Sequence, residues 1–443
     1  MKDCYGLHRS YCGSMVSLFV ESELFNWEEN LMYKSLIRAT TAVSAAALLA
    51  TSAWASDLVV TFDDLNPAPK KAFEAVIDAF KKANPDINVT TNITDREAHK
   101  SAIRNALLND APDVITWYPG NRMGPFVDAG LFSDISDLWA SDANLSGKFN
   151  AIKATMTRDG KQWGVPYSFY QWGVYYRKDI FDKLSLSEPK TWSELLGACD
   201  KMTAAGVTPF TIGTKYLWTA AGVFDYLNLR TNGYDVHNDL TAGKIKYTDP
   251  RIRATFAKWG ELLERCAPVK NHATMSWQDA IAPFAKGDAA MYVMGNFSVA
   301  AYKDAGLKDE QIDFFQFPEI TPGLARAEEA PADAFFIPAK AKNVENAKKF
   351  MAFIATAKIQ GDWNKAIGQL PPNSAAEVNK DDKFIVEGMQ TLSTASGLAQ
   401  FYDRDAPAAM AKAGMEGFQK FMLDPSTLEE VLTNLDKVQA EVY

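Results

Sequence analysis

Between residues 57 and 118 the chain alternates short β-prone runs with amphipathic ones, and this alternation limits the fold more than any other feature. "DLVVTF" (57–62) is short and β-prone, and "DDLNPAP" after it is a run of turn formers. "PKKAFEAVIDAFKKANP" spaces Phe73, Val76, Ile77 and Phe80 along one helical face and stops at Asn84-Pro85. "INVTTNI" (87–93) predicts the next strand, "EAHKSAIRNALLND" a helix with Ile103, Ala106 and Leu107 inward, and "DVITWY" (113–118) a third strand. Parallel neighbours need a crossover, and a helix supplies it, so this order predicts an α/β fold with a parallel sheet and helices on both faces. In such sheets ligands bind beyond the strand C-termini. The loops at 63–66, 95–97 and 118–122 fall there.

Upstream of the first strand, "MYKSLIRATTAVSAAALLATSAWASD" (32–57) has the parts of a secretory signal peptide. Lys34 and Arg38 precede a stretch rich in Ala, Leu and Val, and Ala53 and Ala55 are the small residues of a cleavage site. The apolar part is too short for a bilayer span, which takes about 20 residues. The expectation is a signal peptide at 32–55, cleaved after Ala55, and a protein delivered to the periplasm. Residues 1–31 carry Glu21, Glu23, Glu28 and Glu29 with Cys4 and Cys12. They suit neither a signal n-region nor a folded element and are expected to be a non-native extension.

The net charge of −9 is spread over a mixed sequence, which disfavours nucleic acid and anionic membrane as partners. Two cysteines follow the expected cut, Cys199 and Cys266, both in helical-looking segments. Either they form a disulfide or they are buried free thiols. A disulfide fits an oxidising compartment and would contribute roughly 4 kcal/mol in the chain-entropy model. Asp249 with Pro250 behind it opens a helix running to Arg265. "AFFIPAKAKNVENAKKFMAFIAT" predicts a strand, a turn and a helix, and the C-terminus predicts helices over 406–422 and 427–443. His99, His237 and His272 show no metal-ligand spacing, and no G-x-S-x-G, H-E-x-x-H or P-loop is present. No metal, cofactor or catalytic residue is expected.

Ordered blocks along the mature chain resemble the extracellular solute-binding proteins of the carbohydrate class, the maltose-binding-protein-like receptors of ABC importers. They are "ANPDINVTT", "APDVITWYPGNRMGPFVDAGLFSDISDLW", "WGVPYSFYQWGVYYRKDIF" with "PKTWSELLGACDKM", "GVTPFTIGTKYLW", "WQDAIAPFAKGDAAMYVMGNF" and "QLPPNSAAE". The resemblance implies two discontinuous α/β lobes joined by a hinge, with sugar between them and a membrane permease as partner. It implies three crossings, near 165–170, 314–319 and 369–372. Lobe one is then 57–167 with 316–370, and lobe two 168–315 with 371–443. A monomer is expected.

A pyranose has a rim of hydroxyls and weakly apolar C–H faces. Its site needs flat aromatics for the faces and planar polar groups for the rim. Each neutral hydrogen bond nets roughly 0.5–1.5 kcal/mol, so several contacts reach micromolar affinity, about −8 kcal/mol. Suitable clusters are Tyr118, Asn121 and Arg122 in "TWYPGNR", and Tyr170, Gln171 and Trp172 in "SFYQWG". Trp218 in a loop, Trp277 near a helix start, and Asn296 with Phe297 after a strand extend the set. Asp333 after a Pro-Ala turn, Arg404 between Asp403 and Asp405, and Asp63, Asp64 and Asn66 in the first loop complete it. Each has a structural alternative as a packed, capping or surface ion-pair residue. Trp117 is as suited to core as to site, and Trp259 to core. The first loop lacks the aromatic-rich pattern common in disaccharide receptors of this family. Arg96, His99, Arg122 and Arg404 leave room for an acidic or derivatised sugar. The competing functions are a secreted carbohydrate-active enzyme with paired carboxylates and a receptor for a non-sugar ligand such as a polyamine.

Overall fold

The structure, a computed structural model, describes residues 56–150 and 152–443. The expected signal peptide and the 1–31 extension lie outside the described residues. The chain begins with β1 (Ser56–Phe62), α1 (Pro67–Ala83), β2 (Ile87–Ile93), α2 (Arg96–Asn109) and β3 (Val114–Trp117). A small hairpin, β4 (Thr157–Arg158) and β5 (Lys161–Gln162), leads to β6 (Gly164–Phe169) and β7 (Trp172–Arg177). The middle holds α3 (Trp192–Ala204), β8 (Thr208–Phe210), α4 (Trp218–Asn232), α5 (Tyr234–Thr241) and α6 (Pro250–Arg265). Next come β9 (Ala289–Gly295), α7 (Ser298–Asp304), β10 (Ile312–Phe315), β11 (Glu328–Glu329) and β12 (Ala332–Phe336). The remainder carries α8 (Ala357–Ile367), α9 (Lys383–Ser393), β13 (Leu398–Ala399), the single turn α10 (Tyr402–Asp405), α11 (Ala408–Leu423) and α12 (Leu428–Val442).

Local chemistry sets several helix starts. Asp95 accepts from the amides of Glu97 and Ala98 at the head of α2, Thr191 and Glu194 form a capping box on α3, and Asp249 caps α6 ahead of Pro250. Each satisfies donors that a helix N-terminus leaves open.

Two large sheets, one per lobe, stand beside the two-stranded pairs β4–β5 and β11–β13. The first has the order β2-β1-β3-β12-β6 and the second β10-β7-β9-β8. In the first, β1 is parallel to β2 and β3, as strand–helix–strand order requires. The all-parallel expectation fails at β12, which runs antiparallel to β3 and to β6. That strand enters the sheet on a return from the second one, so no crossover helix sets its direction. The second sheet is also mixed: β7 is antiparallel to β10 and β9, and β8 parallel to β9.

Each sheet has its own apolar core. Phe62, Phe73, Phe335 and Trp363 meet in the first. Phe224, Phe256, Trp259 and Phe418 meet in the second, with Phe224 stacked on Phe418 at 4.1 Å. Trp259 is fully buried there. Cys199 on α3 and Cys266 at the end of α6 are joined as a disulfide. The chain passes between sheets from β6 to β7 across residues 170–171, and from β10 to β12 across 316–331. A third segment follows α8, where Leu370 bridges Phe169. The pair β11–β13 lies among these connections. Among the described residues no helix is long and apolar enough to cross a membrane.

Candidate ligand-binding cleft

The loops after β1, β2 and β3 deliver Asp64, Arg96 and Tyr118 to one place. Arg96 opens α2 and reaches Asp64 at 3.3 Å, Asp333 at 3.3 Å and Asp63 at 3.7 Å. Asp333 lies on β12 rather than after a turn, and its carboxylate also meets Arg404 at 3.4 Å. Arg404 donates to the Ala332 carbonyl at 3.0 Å and to the Tyr170 hydroxyl at 3.1 Å, and its guanidinium lies 4.1 Å from the Tyr118 ring centre. The carboxylate that pairs with Arg404 is therefore not one of its sequence neighbours. Asp403 faces Lys100 at 3.6 Å, and Asp405 bonds Thr241 and Asn121.

The electrostatics follow from this pairing. Burial alone would raise the Asp63 carboxyl, but Arg96, His99 and the Thr116 hydroxyl hold it below its usual value. Burial raises Asp64, and Arg96 offsets only part of that rise. Burial opposes the charge on Arg404, yet Tyr170 and Asp333 hold its pKa above the ordinary arginine value. Each cation of this wall has a carboxylate partner: Arg96 and Arg404 as above, and Lys100 with Glu97 and Asp403.

The facing wall is aromatic. Phe297 stands edge-on to Trp277 at 5.3 Å and to Tyr170 at 5.2 Å. Trp172 meets Phe401 at 5.0 Å and Trp218 edge-on at 6.1 Å. Trp218 is the first residue of α4, not a loop residue, and is partly buried. Close approach is built into this floor. A Cβ on Gly222 would lie 2.6 Å from the Trp172 ring and 3.0 Å from Phe401.

The two walls enclose a cavity of about 340 Å³, at the lower end of the ~300–1,000 Å³ usual for small-molecule sites. Asp64, Asn66, Arg96, Tyr118, Tyr170, Trp172, Trp218, Trp277, Phe297, Asp333 and Arg404 all line it. The Gln278 amide reaches Asn66 across the opening at 3.4 Å.

Other residues of the expected set do not reach the cavity. Asp63 lies behind it, bonded by the Thr116 hydroxyl at 2.7 Å. Gln171 donates to the Phe384 carbonyl. Asn296 donates to the Gly368 carbonyl and accepts from the Tyr175 hydroxyl. Arg122 packs its guanidinium over Trp117, and the Trp117 indole donates to the Arg122 carbonyl. Trp117 is core, in contact with Tyr118 and Phe126. Asn121 turns away to a second cavity of about 520 Å³. Phe169, Ala330, Gln400 and Asp405 line that second space, whereas Tyr170, Pro331, Phe401 and Arg404 line the first. The connecting segments are thus a wall with one cavity on each side. His99 bonds the Thr116 carbonyl and is core.

Sequence reasoning missed Lys100, Tyr216, Gln278, Gln369 and Phe401, all of which line the first cavity, where Asp403 of the "YDRD" run lies as well. Lys100 reads as a solvated helix charge. Phe401 directly precedes the "YDRD" run, and that adjacency was the available signal.

The family model of the bacterial extracellular solute-binding proteins matches residues 66–361. The chain is 28% identical over 332 residues to an uncharacterised ABC transporter extracellular-binding protein of Pyrococcus horikoshii, a match covering 73% of this chain and 74% of that one. It is 26% identical over 343 residues to the multiple sugar-binding protein of Streptococcus mutans, covering 75% and 80%. Among solved structures it is similar to the bacterial solute receptor AcbH, described with an exclusive preference for β-D-galactopyranose. The TM-score is 0.80 at 28% identity, covering 87% of this chain and 98% of that one.

Proposed function

The chain belongs to the bacterial extracellular solute-binding protein family, and on that premise we propose that it is a periplasmic receptor for a short, electrically neutral saccharide. It holds the sugar in the cleft between its lobes and delivers it to the membrane permease of an ABC importer. The lobes are those drawn from the sequence, 57–167 with 316–370 and 168–315 with 371–443, and the exported chain begins after Ala55. The family's members are receptors, so the carbohydrate-active enzyme is set aside.

One observation carries the reading: the cavity has one wall of aromatic faces and one of planar, pre-oriented polar groups. A pyranose offers the complementary pair of surfaces. The neutral charge follows from Arg96, Lys100 and Arg404, each already engaged by carboxylates. An acidic sugar would find no unpaired cation in the lining and would meet Asp64 and Asp333 instead. The named ligands of the Streptococcus mutans relative and of AcbH support a sugar.

The lining also holds more carboxylates than cations, with Asp95, Glu97, Asp304 and Asp403 beside Asp64 and Asp333. That surplus favours a polyamine as the second reading, because an aromatic box with acids suits a cation.

Thermal unfolding against neutral sugars, sugar acids, polyols and polyamines separates these. A ligand bound only by the folded state adds about 2.7 kcal/mol at a hundred times its dissociation constant. The expected result is a raised midpoint with one neutral sugar and none with its uronic acid. A shift with polyamines alone would replace the sugar.

A further inference from the structure

Beside the connecting segments lies a group of acids to which no cation is bonded among the described residues. Asp225 on α4, Glu329 on β11 and His237 on α5 are fully buried. Asp225 Oδ2 accepts from the Tyr402 amide at 2.9 Å. Its Oδ1 and both Glu329 oxygens receive no hydrogen from another group among the described residues. The β11 strand is fastened to α4 through Glu328, which accepts from the Tyr226 hydroxyl at 3.1 Å and pairs with Arg230 at 2.6 Å, and this brings the neighbouring Glu329 and Asp225 carboxyls to act on each other. Two carboxylates are both acceptors, so a bond between them requires that one carry a proton.

The surroundings supply no substitute for that proton. Arg230 is bonded to Glu328 at 2.6 Å, and Arg404 is bonded by Asp333 and Tyr170; the Arg404 charge offsets only part of what burial, Asp225 and Glu328 do to Glu329. His237 presents Nε2 to Asp225 Oδ1 at 3.9 Å, while its Nδ1 meets the Asn228 amide at 3.2 Å. Burial holds the His237 pKa down to about 4, so the ring is neutral around neutral pH. From α10, Asp403 and Asp405 add negative charge toward Asp225. From α4 and the neighbouring loop, Tyr226 donates to Glu328 and Tyr247 bonds Tyr402.

We propose that Asp225 and Glu329 share one proton, and that this proton tethers α4 to the segment carrying the chain from the second sheet back to the first. The tether bears on the cleft because Pro331 and Asp333, just after Glu329, line it. When the proton is lost to solvent, two buried anions face each other and the bond between them disappears.

The sign of the pH dependence follows. Burial raises both Asp225 and Glu329 well above the usual carboxyl range. The folded protein keeps the proton at pH values where an unfolded carboxyl, near pH 4, has released it. The stabilisation is complete below about pH 4 and is lost as the pH rises into the alkaline range through which the raised pair titrates.

The test is thermal unfolding of the wild type, Glu329→Gln and Asp225→Asn between about pH 5 and about pH 9. An amide donates to the remaining carboxylate without titrating. The wild type is therefore expected to lose stability relative to either variant, by up to about tenfold in its unfolding equilibrium per pH unit. A wild-type–variant difference that does not change with pH overturns the proposal. The infrared spectrum of the wild type needs no variant. A protonated-carboxyl C=O band is expected at neutral pH, fading only at alkaline pH, and the absence of that band at neutral pH also overturns it.

Discussion

Tyr118 stands between Arg96 at 5.9 Å, Lys100 at 5.7 Å and Arg404 at 4.1 Å from its ring centre. One aromatic residue at a strand end therefore gathers the cations that hold the cavity's carboxylates. Arg404→Ala removes a buried partner of Asp333 and leaves that carboxylate to Arg96 alone. We expect a loss of about 3 kcal/mol in stability, measured by urea unfolding, and weaker sugar binding. An unchanged urea midpoint would show that Arg96 suffices. Trp218 is only partly buried, so Trp218→Ala should spare the core and remove a face for the sugar. The expected outcome in calorimetric titration is at least tenfold weaker binding, about 1.4 kcal/mol. Wild-type affinity in that variant would place the platform elsewhere.

At the scale of elements, α4 positions the cavity floor by close approach. Ala at position 222 would improve helix propensity by about 1 kcal/mol, yet its Cβ would press into Trp172 and Phe401. Overpacking of about 1–3 kcal/mol outweighs the gain. Gly222→Ala is expected to lower both melting temperature and affinity, and a stabilised variant with normal binding would contradict the close fit. The disulfide couples α3 to α6 across 67 residues of sequence. Its reduction should cost roughly 4 kcal/mol, and thiol titration of the denatured, unreduced protein should find neither cysteine free.

For the whole molecule, contacts from both walls mean that a ligand is held fully only when the lobes are together. Solution scattering should report a smaller radius of gyration with saturating ligand than without. Equal radii would mean that the cleft is already closed in the free protein, as the Asn66–Gln278 contact would permit. The sequence alone determined what is local. The β2 run at 87–93, the helical face of Phe73 to Phe80 and the Asp249–Pro250 start of α6 all stand where periodicity and capping put them. It also placed Asp64, Arg96 and Tyr118 at strand ends, because strand C-termini converge in any α/β sheet. Only the tertiary structure decided the reversed direction of β12, the ion pair of Arg96 with Asp333 across 237 residues of sequence, and the withdrawal of Asn296 and Gln171 from the cavity. Those outcomes depend on how the chain returns between sheets and which buried polar groups then find partners. Short-range patterning carries no record of either.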